Sequence, residues 1–388
     1  MSLFDEIEKI GAENEEDISV NLDSFSDAVI WGTDWTTETI VSQLNRGNIE
    51  LNPKFQRREA WDKKRKSRFI ESIILGLPIP QIILAEKKEK KGTYIVIDGK
   101  QRLLSIRQFF SKTEDTVFPV LKLIGLDSLD IINGNSYQDI KTNPQYSHLA
   151  SSVENQSIRT IVIKNWPNED FLFNVFLRLN TGSLQLSPQE LRQALHPGPF
   201  IDFSDEFSIS SEQIKRTLKL DKPDYRMRDV ELVIRFFAFK YFIDNYNGNL
   251  KRFFDDTVKT LNADWTKNEH EIKSTSLDLN EAIDTTYEIF GDNAFNKWKA
   301  GSYLKSFNRA IFDIMTYYFS VKEIRELALK NKKEIESKFT YLCETDVEFL
   351  QSFETSTKNI QPTHKRFNLW GNSLKDILKV DFHVPNLI

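Results

Sequence analysis

Apolar positions fall into short periodic blocks separated by polar, glycine-rich or proline-rich breaks. In "DWTTETIVSQLNRGN", Ile40, Val41 and Leu44 recur at helical spacing, with Thr33 or Asp34 as the expected N-cap and Gly47 as the stop. In "WDKKRKSRFIESIILGLPIP", Asp62 is placed to cap a helix whose stripe is Phe69, Ile70, Ile73, Ile74 and Leu77, ended by Gly76 and two prolines. "QIILAE" and "TYIVID" read as strands joined by the charged tip "KKEKKG", and "GKQRLLSIRQFF" turns helical through Leu103, Leu104, Ile106 and Phe110. From 111 to 156 the signal weakens, with "VFPVLKLIG" predicting a strand; "SIRTIVIKN" predicts another over Ile158 to Ile163. Beyond Trp166 the pattern is helical, in "NEDFLFNVFLRLN", "SPQELRQAL", "DVELVIRFFAFKYFIDNY", "NLKRFFDDTVKTL" and "NRAIFDIMTYYF". The fold class expected is therefore α+β, with an acidic, loosely ordered arm over 1–28, an α/β domain over 29–165 and a helical domain over 166–388.

Composition narrows the class. The 29 Phe among 388 residues point to aromatic helix packing. A formal charge of −5 means that contact with a polyanion must rest on a local basic patch. The single Cys343 excludes an internal disulfide and a cysteine zinc site, which fits a reducing compartment. The acidic start "MSLFDEIEKIGAENEED" lacks the pattern of a secretory signal, and no apolar run is long enough for a membrane helix, so the expected location is cytoplasmic.

The chemistry concentrates where the second strand meets its helix. In "YIVIDGKQRLLSI", a helix start offers unpaired N–H groups and the positive end of its dipole, which together favour an anion. Lys100 and Arg102 add charge suited to phosphate. Asp98 then has three roles open to it: orienting Arg102, capping the helix, or holding a divalent cation against a phosphate. Upstream, "LNPKFQRREAW" gathers Gln56, Arg57 and Arg58 in a stretch without clean periodicity.

Taken in order, "NPKFQRREAW", "FIESIILGLPIPQIIL", "YIVIDGKQRLLSI" and "FLRLNTGSLQLSPQELRQAL" resemble the GmrSD-type N-terminal domain family of modification-dependent restriction enzymes, over about 35–196. The resemblance implies a ParB/sulfiredoxin-like α/β domain in which an Asp-Gly-x-Gln-Arg (DGQQR-type) segment binds nucleotide phosphates and supports hydrolysis. Carried over, it makes Asp98, Gly99, Gln101 and Arg102 the central set, with Asp98 and Arg102 catalytic; in the cation version of its role, Asp98 is the Mg2+ ligand. Gln56, Arg57, Gly99, Lys100 and Gln101 would bind a nucleoside triphosphate, and Arg178 and Asn180 of "FLRLNTG" would close over it. Lys100 stands where many relatives carry Gln.

The function implied is a nucleotide-binding, NTP-hydrolysing sensor of a restriction or anti-phage defence system. Its partners would be a separate nuclease or effector and DNA, modified or of phage origin. The alternatives are a non-enzymatic DNA-binding adaptor and a nuclease whose site is unrecognised. An HNH nuclease is not expected within these 388 residues: none of the five His has a second within metal-ligand spacing. The arginines of "PDYRMRDVELVIRFFAF" are expected to pair with Asp224, Asp229 and Glu231, and "THKRFNLW" is too short to form a nucleic-acid patch alone.

Overall fold

In the computed structural model the described residues are 28–51, 58, 60–169, 171, 172, 175, 187–354 and 360–388. They divide into two compact units, one ending at Leu195 and the other running from His196 to Ile388. The expected arm over 1–28 lies, but for its last residue, outside the described residues, as does most of "NEDFLFNVFLRLN".

The first unit is built on a four-stranded sheet, β1 (Val29–Thr36), β2 (Ile82–Glu86), β3 (Tyr94–Asp98) and β4 (Ser157–Lys164), in the order β1-β4-β2-β3. β4 pairs antiparallel with β1 and parallel with β2, while β2 and β3 form an antiparallel hairpin. Between the strands lie α1 (Thr37–Asn45), α2 (Lys63–Ile74), α3 (Lys100–Phe109), α4 (Tyr137–Thr142) and α5 (Ser147–Asn155); α6 (Pro188–Leu195) follows β4. The change to a helical pattern beyond Trp166 puts the expected boundary near 165; α6, beyond it, packs on β3 within the compact unit that ends at Leu195.

α1, α2, α3 and α5 pack on one another and bury a single core. Ile40, Ile70, Ile73, Leu103, Ile106 and Phe109 meet Leu84, Ile158 and Val162 of the sheet there. The stripe expected on α2 is the buried face, except that Leu77 lies past the helix and is exposed. Asp62 caps it, its Oδ1 accepting the Arg65 N–H at 2.7 Å.

Two expectations are corrected. Thr33 and Asp34 do not cap α1: they lie within β1, paired with Thr160 and Arg159, and the cap is Thr36. A nonlocal ladder has claimed residues whose local chemistry suits a cap. "VFPVLKLIG" forms no strand. Leu121 and Leu123 are buried, but their N–H groups bond to the carbonyls of Gln108 and Asn135, so no continuous ladder develops.

The second unit contains α7 (Pro199–Ser210), α8 (Glu212–Leu218), α9 (Arg228–Phe242), α10 (Leu250–Ala263) and α11 (Trp265–Phe290). A hairpin, β5 (Asn296–Lys299) and β6 (Ser302–Phe307), interrupts the helices, which resume as α12 (Arg309–Phe319), α13 (Lys322–Lys330), α14 (Lys332–Thr345), α15 (Val347–Gln351) and α16 (Ile360–Leu378). Helical periodicity did not announce the hairpin; its two-residue turn, Ala300 at φ 51° and Gly301 at φ 79°, is the twist-matched kind. The class is thus α+β, a small sheet with helices followed by a helical region. Among the described residues no helix is long and apolar enough to cross a membrane.

Candidate functional site

β3 delivers Asp98 to the end of the sheet through an irregular register. Leu84 of β2 faces Val96, but Ile83 faces Asp98, so one residue of β3 is extra and the strand end is re-aimed. Gly99 follows with φ 98°, a left-handed conformation that disfavours any side chain. A Cβ there would also stand 3.2 Å from Arg102 Nη2 and 3.2 Å from Ile82 Cγ1. Glycine is thus demanded twice, by backbone conformation and by the approach of Arg102. It is also the N-cap of α3, and offers no side chain to the first N–H groups of that helix.

Asp98 and Arg102 form one device. The Gly99 N–H donates to Asp98 Oδ1 at 2.7 Å, and Arg102 Nη2 donates to Asp98 Oδ2 at 2.9 Å and to the Gln81 carbonyl at 2.9 Å. The carboxylate side chain keeps 24% exposure against 6% for Arg102. Among the described residues the buried Arg102 Nε has no acceptor, and the contacts of Asp98 include the one that orients Arg102.

Lys100, expected at the phosphates, is held by an acidic side chain of α6. Its Nζ lies 2.5 Å from Glu190 Oε1 of α6, with side-chain exposures of 6% and 5%. The other Glu190 oxygen accepts the Ser187 N–H at 2.7 Å, while Ser187 Oγ accepts the Glu190 N–H at 3.1 Å. This is a reciprocal cap on α6, and it ties the start of that helix to the start of α3. Gln101 is buried too, its Oε1 accepting the Trp61 N–H at 3.4 Å and so linking the turn to the residues that lead into α2. Arg58 is also buried. Gln56, Arg57, Arg178 and Asn180 lie outside the described residues.

Sequence reasoning missed α6 as a source of site residues. Gln189, Glu190, Arg192 and Gln193 are all buried. Arg192 Nη1 donates to Gln189 Oε1 at 2.7 Å, and among the described residues Gln189 Nε2 has no acceptor and neither polar side-chain atom of Gln193 finds a partner. Buried amides normally find partners, so these mark a place where protein groups alone do not complete the network. The readable signal was a short helix, "PQELRQAL", with four polar residues where a core helix carries aliphatic ones.

The arrangement defines an α+β domain with a strand, a left-handed glycine turn and a helix start carrying Asp, Lys, Gln and Arg. Residues 37–197 match the family described as GmrSD restriction endonuclease, N-terminal domain. That part of the chain is similar to the N-terminal domain of the GmrSD restriction endonucleases. Neither a curated protein nor a solved structure gives a significant match.

Proposed function

We propose that the first unit binds a nucleoside triphosphate, with Mg2+, at the Asp98–Arg102 turn, and hydrolyses it to signal to a separate nuclease or effector subunit. The observation that carries this reading is the uncapped start of α3 beside Arg102, whose buried Nε lacks an acceptor. Backbone N–H groups and a guanidinium converging on one place suit a phosphate oxygen.

Asp98, whose carboxylate is partly exposed, would hold the Mg2+ ion, which would supply charge neutralisation for the phosphates. Arg102 would stabilise charge on the transferred phosphoryl group. Lys100, paired with Glu190, holds α3 against α6 and contributes position more than net charge. The unpaired amides of α6 have the donors and acceptors that a nucleobase edge requires.

Phosphate release from each of the four common nucleoside triphosphates with Mg2+, compared between wild type and Asp98→Ala, tests hydrolysis. Turnover by wild type and its loss in the variant support the reading; equal release by both removes it.

One observation favours the DNA-binding adaptor as a second reading. The first turn of α2 exposes Lys63, Lys64 and Arg65 with no acidic residue among them, a placement that its dipole disfavours and a phosphate backbone would favour. A steep salt dependence of duplex affinity, flattened by Lys63→Ala with Lys64→Ala, distinguishes it.

A further inference from the structure

Two arginine-bearing stretches that the nucleotide reading leaves unused, "PDYRMRDVELVIRFFAF" and "THKRFNLW", meet in the core of the second unit. As expected from spacing, Arg228 pairs with Asp224 and Arg235 approaches Glu231. The main partner of Arg235 is nonlocal: Nε donates to Asp313 Oδ1 at 2.9 Å and Nη2 to Oδ2 at 2.6 Å, from α9 to α12. Glu231 also takes Arg309 Nε at 3.0 Å. Both nearby carboxylates are therefore engaged by guanidinium groups.

α16 brings a third guanidinium, Arg366, only 4% exposed. Its one hydrogen bond among the described residues runs from Nη1 to the Ser352 carbonyl at 3.2 Å, and its Nε is buried without an acceptor. Among the described residues no carboxylate forms an ion pair with it; Asp313 acts on it only at longer range, and Arg235 opposes it. One turn further along the same helix face, fully buried Trp370 holds an Nε1–H that also lacks an acceptor.

A guanidinium keeps its proton inside a protein, and an unpaired buried charge is among the most unfavourable features a core can hold. A buried water would satisfy the N–H groups and leave the charge unbalanced. An anion does both. We infer that the second unit binds a small inorganic anion of halide size at Arg366, with the indole N–H of Trp370 as a further donor. The surroundings suit a small ion: Phe367, Trp370 and Leu374 on the same helix are fully buried. This site is independent of the proposed triphosphate site, whose residues lie in the other unit.

Bromide is the direct probe, because it replaces chloride and scatters anomalously. Crystals of the full chain soaked in sodium bromide are expected to show an anomalous peak within hydrogen-bonding reach of Arg366 Nε; ordinary water there, or no peak, overturns the inference. In solution, replacing gluconate with chloride at constant ionic strength should raise the wild-type melting temperature by about 2–4 °C. Arg366→Met should abolish the response and melt no lower than wild type in gluconate, having removed the unbalanced charge. Equal chloride responses in wild type and variant contradict the inference. Should Arg366→Met fail to fold, Arg366→Lys, which keeps the charge, should retain the response, and the wild-type bromide map stands by itself.

Discussion

Lys100 Nζ and Glu190 Oε1 lie 2.5 Å apart between two buried side chains, joining the first residue of α3 to the capping glutamate of α6. Removing one partner takes a buried opposite charge away from the other. Glu190→Ala should therefore cost about 3–5 kcal/mol of folding stability, as breaking one side of a buried pair generally does. The double variant Lys100→Met with Glu190→Met should recover much of that loss. Urea denaturation of the set measures it, and a loss in the single variant of the size seen for exposed pairs would show that the two groups are solvated.

Gly99→Ala is expected to cost about 1 kcal/mol or more, since φ 98° is strained for alanine. The added Cβ also presses on Arg102, so any nucleotide response should weaken along with stability. A variant that loses stability and keeps the full nucleotide response would separate the turn from the site.

Much of this geometry was legible in the sequence, and the reasons are local. The α2 stripe, the two hairpin strands and the glycine between β3 and α3 follow from periodicity and turn chemistry, which act over a few residues. Glu190 was not legible as the partner of Lys100, because it lies ninety positions further along the chain. β1 was misread for the same reason: "GTDWT" has capping residues, and only the distant β4 decides that they pair as a strand. Asp313 stayed hidden behind Glu231, which has the helical spacing from Arg235 that a sequence displays.

Acid should weaken the first unit at a defined place. Burial alone would raise the Glu71 pKa, but N–H donors from Ser128, Asp127 and Leu129, together with Arg68, outweigh it and hold the group below its ordinary value of 4.5. A carboxylate with a depressed folded-state pKa stabilises fully above its unfolded pKa, and that contribution is lost as pH falls through the folded value. Glu71→Gln should thus be less stable than wild type near neutrality, with the difference shrinking below about pH 4.5. A gap between the two that does not change with pH would mean that the carboxylate charge does not hold the 127–129 loop.

Arg102→Lys should resemble Arg102→Ala more than wild type. One Nη2 serves both Asp98 and the Gln81 carbonyl, and the neighbouring Nε is aimed separately, a division of labour that a single ammonium cannot reproduce. Both variants should fold, because Arg102 is outside the apolar stripe of α3, and both should lose triphosphate binding.

The central claim, that the Asp98–Arg102 turn is a nucleotide site, is tested most directly by thermal unfolding of wild type and Arg102→Ala with each of the four common nucleoside triphosphates, with and without Mg2+. At about a hundred times its dissociation constant a bound ligand adds roughly 2.7 kcal/mol to the folded state. At least one triphosphate should raise the melting temperature of wild type, more so with Mg2+, and leave Arg102→Ala unmoved. No shift with any triphosphate, or equal shifts in both proteins, would contradict the account.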